Sequence, residues 1–162
     1  MKPILKLLVP LLAAGLFVAG CGGDDSPASP AGGITQVTRQ VLAESSAQAA
    51  PGQSLGLTRV IIPAGQDIAP HTHPGPQLAV ISEGTLTYTV LKGQVQVFRA
   101  VGTAGAKAET ASAGQTVLLN VGDSIIETPG MEHTAKNATR GPVVIYLSSL
   151  FPQGAPPSSP LQ

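Results

Sequence analysis

The chain has 162 residues, of which 43% are hydrophobic and 11% are charged, as expected of one globular domain. Nine basic and nine acidic residues give a formal net charge of zero, so there is no basic surplus to neutralise a phosphate backbone, which argues against nucleic acid as a partner. The single cysteine, Cys21, excludes an internal disulfide framework and a zinc site built from several thiolates.

Residues 1–20 are predicted to be a lipoprotein signal peptide. Two lysines precede an apolar run that ends in small residues, and the run is shorter than the ~20 residues that span a hydrocarbon core. Residues 18–21 (VAGC) resemble the lipobox of bacterial lipoproteins, which implies cleavage before Cys21 and its lipidation. We therefore expect an exported cell-envelope protein held on a membrane by its lipid anchor, on the periplasmic or outer-surface side. The alternative is a free thiol beside an ordinary signal cleavage site.

Residues 21–33 are predicted to be a flexible tether, because they contain Gly, Pro and Ser but no large apolar side chain. The folded domain is expected to extend over residues 34–151. Its first segment, 34–50, fits a short helix or a strand, and we favour a strand followed by a loop. The Pro-rich tail, residues 152–162, is expected to fray.

From Leu55 onward, the sequence is typical of an all-β barrel or sandwich. Short segments rich in β-branched residues alternate with Gly, Pro and Asp. Residues 85–90 alternate Thr with apolar side chains, as a strand with one buried face does. The pair Lys92-Gly93 before the next such segment suggests a tight hairpin.

The three histidines of the chain suggest a metal site. His71 and His73 are two residues apart, so in an extended chain both imidazoles point to the same face. His133 follows a Pro-Gly turn far along the chain, where a neighbouring strand could bring it opposite the first two.

The residues around these histidines resemble the two signature motifs of the cupin superfamily. The first motif keeps every family interval, and its positions are Gly65, His71, His73, Gln77 and Gly84. The second keeps all but its proline, which falls at position 129 instead of 128, and its positions are Gly122, Gly130, His133 and Asn137. The resemblance implies a single-domain cupin of the conserved-barrel type, with a jelly-roll (double-stranded β-helix) fold. The long segment between the motifs predicts an extra hairpin or loop around residues 102–114.

In metal-binding cupins, the ligands are three His and one Glu. Carried over by position, the resemblance implies the ligands His71, His73 and His133, with Gln77 where the family has Glu. The bound ion would be a divalent transition metal (Zn, Fe, Mn, Ni or Cu) with an open position for a small-molecule ligand. Gln77 could equally be an inward polar residue bonded to the backbone, since its neutral oxygen is a weaker ligand than a carboxylate.

Two glutamates near His133, Glu127 and Glu132, could supply the missing carboxylate, but solvated charges at the barrel rim are the expectation. Asn137 is expected to bond the backbone, and the glycines of both motifs are expected to serve turns.

Two functions remain open. The first is a binding module that holds a metal and a small molecule without turnover. The second is a metal-dependent enzyme of the dioxygenase or isomerase type. We favour the binding module, because the sequence offers no acid or base beyond the histidines, and a fold alone does not warrant chemistry. Pairing of edge strands, frequent in the family, makes a homodimer a candidate assembly.

Overall fold

The computed structural model describes residues 34–161 of the chain. These residues form twelve β-strands and no helix, which confirms the all-β prediction. Within this range, accordingly, the chain offers no helix able to cross a bilayer. The predicted signal peptide, Cys21 and the tether of residues 21–33 lie outside the described residues.

The strands pair antiparallel in two sheets. Their bounds are β1 (Thr38–Ser46), β2 (Gln53–Ile62), β3 (Asp67–Thr72), β4 (Gln77–Glu83), β5 (Leu86–Lys92), β6 (Gln94–Arg99), β7 (Lys107–Ser112), β8 (Thr116–Leu119), β9 (Ser124–Glu127), β10 (Glu132–Lys136), β11 (Val143–Pro152) and β12 (Ser159–Pro160). One sheet has the order β1-β2-β11-β4-β9-β6-β7, and the other has the order β12-β3-β10-β5-β8. The predicted jelly-roll fold is therefore confirmed, and its strands lie in these two sheets.

Inward-facing and outward-facing residues alternate along the strands, and the inward-facing ones form the core between the sheets. In β5, Leu86, Tyr88 and Val90 are buried while the intervening threonines are half-buried, as the sequence pattern predicts. In β4, the inward positions carry Gln77, Ala79 and Ile81, so one polar group shares a face with core residues. The most completely buried apolar side chains include Ile62, Val90, Val95, Val97, Leu119 and Val143. Burying such a side chain contributes about 1.5–3 kcal/mol, so strand alternation is the main stabilising feature.

The segment after β5 differs from the prediction. Lys92 ends β5 and Gln94 begins β6, yet β5 pairs with β8 and β10 while β6 pairs with β7 and β9, so the predicted tight hairpin at Lys92-Gly93 is wrong. The chain instead turns a corner between the two sheets. Gly93 makes this corner with a φ of 83°, a conformation that side chains disfavour. The predicted extra hairpin does form, from β6 and β7.

Both ends of the described range are extended. Residues 38–46 form β1 and a turn follows, which confirms the favoured alternative for the lead-in segment. The prediction of a frayed tail is wrong. Ser159 and Pro160 pair with Thr72 and His71, and the Leu161 amide donates to the Pro70 carbonyl over 3.1 Å. These bonds hold the tail in place and satisfy backbone groups at the end of β3, on the edge that β10 does not cover.

Candidate metal centre

Two neighbouring strands bring the three histidines together. His71 lies near the end of β3, and His133 lies directly opposite it on β10. His73 follows His71 by two residues and therefore projects to the same side. One ring nitrogen from each histidine lies within 4.8 Å of the others, a spacing that a single ion could bridge. The structure thus places all three predicted histidines at one point.

Backbone carbonyls fix the rings of two of these histidines. His71 Nδ1 lies 2.8 Å from the Ala69 carbonyl, and His73 Nδ1 lies 2.7 Å from the Pro157 carbonyl. A carbonyl can only accept, so each Nδ1 carries a hydrogen, and in a neutral ring Nε2 then presents its lone pair. This tautomer is the one that an outer-shell acceptor selects in metal-binding histidines. The acceptor for His73 comes from the tail that the sequence predicted to fray.

Glu127 lies at the base of the histidine cluster, which corrects the expectation of a solvated rim charge. It is only 3% exposed. Its Oε1 lies 3.2 Å from His133 Nε2, and its Oε2 lies 3.4 Å from His73 Nε2. The carboxylate also accepts hydrogen bonds from Tyr88 Oη at 2.8 Å and Gln77 Nε2 at 2.9 Å. Glu127 is buried because β9 turns Ile125 and Glu127 inward together. Glu132 does lie near the surface, where Lys92 pairs with it.

Gln77, which the motif resemblance aligns with a glutamate, faces Glu127 across the β4–β9 pair. It is 3% exposed, and its amide nitrogen lies 2.9 Å from Glu127 and 3.2 Å from His73 Nε2. Its amide thus bonds side chains of the site, whereas Asn137 bonds the backbone carbonyls of Ile62 and Gly141, as expected. Among the described residues, nothing hydrogen-bonds Gln77 Oε1, although this oxygen is buried. A carboxylate therefore lies beside position 77, on the neighbouring strand β9.

The electrostatics of the cluster favour a cation. Burial, together with the nearby His71 and His73, lowers the pKa of His133 to about 2. Burial also lowers the pKa of His71, so both rings are neutral near pH 7 and available to coordinate. Burial raises the pKa of Glu127, against the opposing effects of His73, Tyr88 and Gln77. Burying a carboxylate is costly, and among the described residues no Lys or Arg forms an ion pair with Glu127, so a metal ion is a partner that would offset this cost.

The donor atoms fit a divalent transition metal. Imidazole nitrogens suit Zn, Fe, Ni and Cu, and the carboxylate of Glu127 or the amide oxygen of Gln77 extends the choice to Mn. Like Gln77 Oε1, the Nδ1 atom of His133 is buried and has no hydrogen-bond partner in the described part of the chain. An ion bound by the three histidines would supply a positive charge to the cluster and leave coordination positions open for an oxygen donor from outside the protein.

The cluster opens into a cavity of about 200 Å³. Its inner wall is apolar and includes Leu86, Leu119 and Ile125. Arg39, an exposed residue of β1, also lines the cavity and therefore marks its opening. Typical ligand pockets measure roughly 300–1,000 Å³, so this cavity fits only a small molecule.

Comparison with known proteins identifies the fold. No family model and no curated protein matches the chain. A cupin 2 domain-containing protein from Halorhodospira halophila superposes with a TM-score of 0.52 at 11% identity, over 78% of this chain and 71% of that one. A cupin superfamily protein from Desulfitobacterium hafniense gives 0.49 at 14% identity, over 72% of this chain and 79% of that one. The chain has the cupin-type jelly-roll fold, and its function must be argued from the site.

Removal of the tail should weaken metal binding. A chain that ends at Gly154 lacks the Pro157 carbonyl, which leaves the buried Nδ1–H of His73 without its acceptor. We expect metal affinity to fall by about 10–100-fold, the usual cost of losing such a partner. Competition with a chromogenic chelator measures it. Ser159→Ala, which keeps the backbone bonds, should match the wild type; unchanged affinity in the truncated chain would contradict this role.

Proposed function

We propose that the chain is a membrane-anchored, extracytoplasmic cupin-domain protein that binds a divalent transition metal and a small molecule. The observation that carries the proposal is the convergence of His71, His73 and His133 within 4.8 Å. The proposed ligands are these three imidazoles, with Glu127 as the charged oxygen donor and Gln77 as a neutral one. The cavity beside them would hold the small molecule at an open coordination position.

Anchoring is the part of the proposal that rests on sequence alone. The VAGC sequence at residues 18–21 resembles a lipobox, and the twelve residues after Cys21 are rich in Gly, Pro and Ser. A lipid on Cys21 would hold the domain at a membrane through this short tether.

A metal-dependent enzyme is the second candidate, and Glu127 favours it. A buried carboxylate in contact with His73 and His133, beside a cavity, is the kind of group that could take a proton from a bound molecule. We give precedence to binding, because Glu127 would itself be a ligand of the ion in the main proposal, and a coordinated carboxylate is less available as a base.

Metal loading of the purified full-length protein tests the main proposal. After chelator treatment, the protein is titrated with Zn, Mn, Fe(II), Ni and Cu, and bound metal is counted by elemental analysis. We expect one ion per chain for at least one metal, together with a rise in the thermal unfolding midpoint, since a ligand that binds only the folded state stabilises it. Absence of stoichiometric metal after reconstitution with all five would contradict the proposal.

A further inference from the structure

Arg39 is a charged group at the cavity that the proposed metal centre does not use. It lies on β1 opposite Val60, a core residue, so its side chain projects to the inner side of the sheet. It lines the same cavity as His71 and Glu127. Arg39 thus lies where a ligand would enter.

No hydrogen bond or ion pair engages the Arg39 side chain within residues 34–161. Arg99 shows the contrast, because its guanidinium pairs with both Glu109 and Asp123. Glu127, the anion nearest the cavity wall, is occupied by Tyr88 and Gln77. The donors of Arg39 therefore remain open to a molecule in the cavity.

Electrostatics place the Arg39 charge close to the site. Burial lowers the pKa of Arg39, and Glu127 opposes this effect. Arg39 in turn contributes to the lowered pKa of His71, after burial and the neighbouring His73. Arg39 is exposed as a whole residue, so its guanidinium is only partly desolvated and stays charged. The opening of the cavity is thus positive, and a metal ion at the histidines would make it more so.

We infer that the cavity takes a small carboxylic acid with an apolar body. Its carboxylate pairs with the Arg39 guanidinium, whose fork of donors matches two carboxylate oxygens. Its body packs against the apolar wall that Leu86, Leu119 and Ile125 form, and Ser158 of the tail borders the same space. The volume of about 200 Å³ excludes large ligands. The inference rests on the proposed function in that the bound metal adds to the attraction for the anion.

Calorimetric titration of the full-length protein with benzoate and with its neutral counterpart benzamide tests the inference. Both the metal-loaded and the chelator-treated protein are titrated. We expect benzoate to bind the wild type more tightly than benzamide does, and Arg39→Gln to weaken benzoate by about tenfold or more, the loss of one charge-assisted pair. Benzamide binding should not respond to the substitution.

Arg140→Gln is the matched control, because it removes the same charge from an exposed position that does not line this cavity. It should leave benzoate binding at the wild-type level. Equal benzoate affinities of the wild type and Arg39→Gln in both metal states, or no benzoate binding at millimolar concentration, would overturn the inference. Failure of metal loading would contradict the proposed function instead, and Arg39-dependent benzoate binding to the metal-free protein would still support a carboxylate site.

Discussion

Replacement of His73 by alanine is expected to abolish stoichiometric metal binding. His73 supplies one of three converging ring nitrogens, and its Nε2 already faces the site because the Pro157 carbonyl holds its Nδ1. Loss of a direct ligand should cost more than the roughly 10–100-fold that loss of an outer partner costs. Elemental analysis of the reconstituted full-length variant, beside the wild type, measures the effect.

Thermal unfolding separates loss of the site from loss of the fold. His73 also stacks on Phe151, with ring centroids 5.9 Å apart, so the metal-free variant should unfold somewhat earlier than the wild type. The decisive comparison is the shift on adding metal, which the wild type should show and the variant should lack. A variant with full metal content and a wild-type shift would remove His73 from the ligand set.

Glu127→Gln is expected to have the second large effect. The substitution keeps the size of the side chain but removes the only carboxylate that contacts His73 and His133 among the described residues. A neutral oxygen is a weaker ligand and offsets none of the metal charge, so we expect affinity to fall by about 10–100-fold. Chelator competition measures it, and Glu132→Gln is the control, because Glu132 lies outside the cluster and pairs with Lys92.

The double variant Gln77→Glu/Glu127→Gln tests whether the carboxylate can reach the site from either strand, β4 or β9. The two residues face each other across the β4–β9 pair and are both 3% exposed, so the exchange conserves charge and volume within one contact. We expect it to recover most of the affinity that Glu127→Gln loses. If the double variant binds metal no better than Glu127→Gln does, the carboxylate is required at position 127 itself, and a carboxylate at position 77 cannot replace it.

The sequence predicts those features that depend on short spacings. His71 and His73 share a face because they are two residues apart on an extended segment, and the structure keeps that relation. The regular alternation of β5 likewise predicts which of its side chains are buried. The prediction that His133 joins the site depends on the second motif, because no local pattern connects this residue to β3.

Glu127 and the tail depend on pairing between distant strands, which local patterns do not specify. Glu127 joins the site because β9 lies beside β4 in a register that sets it against Gln77. The alternation of Ile125 and Glu127 was a usable signal, since it puts the carboxylate on the same side as a core isoleucine. The composition of the tail predicts fraying, whereas its backbone groups in fact pair with β3. Prolines donate no backbone hydrogen bond, but their carbonyls still accept: the Pro157 carbonyl of the tail accepts from His73, and the Pro70 carbonyl of β3 accepts from Leu161 of the tail.

The Pro157 carbonyl is among the last groups of the histidine cluster to be synthesised. His73 and its acceptor are 84 positions apart, and the acceptor follows the last long strand of the barrel. During synthesis, His71 and His73 emerge well before His133, and the group that orients His73 emerges later still. A nascent chain therefore cannot present the finished coordination sphere. If the chain binds a metal as proposed, the ion would meet the full set of donors only after the whole barrel has been translated and folded, and an ion that arrived earlier would meet an incomplete set.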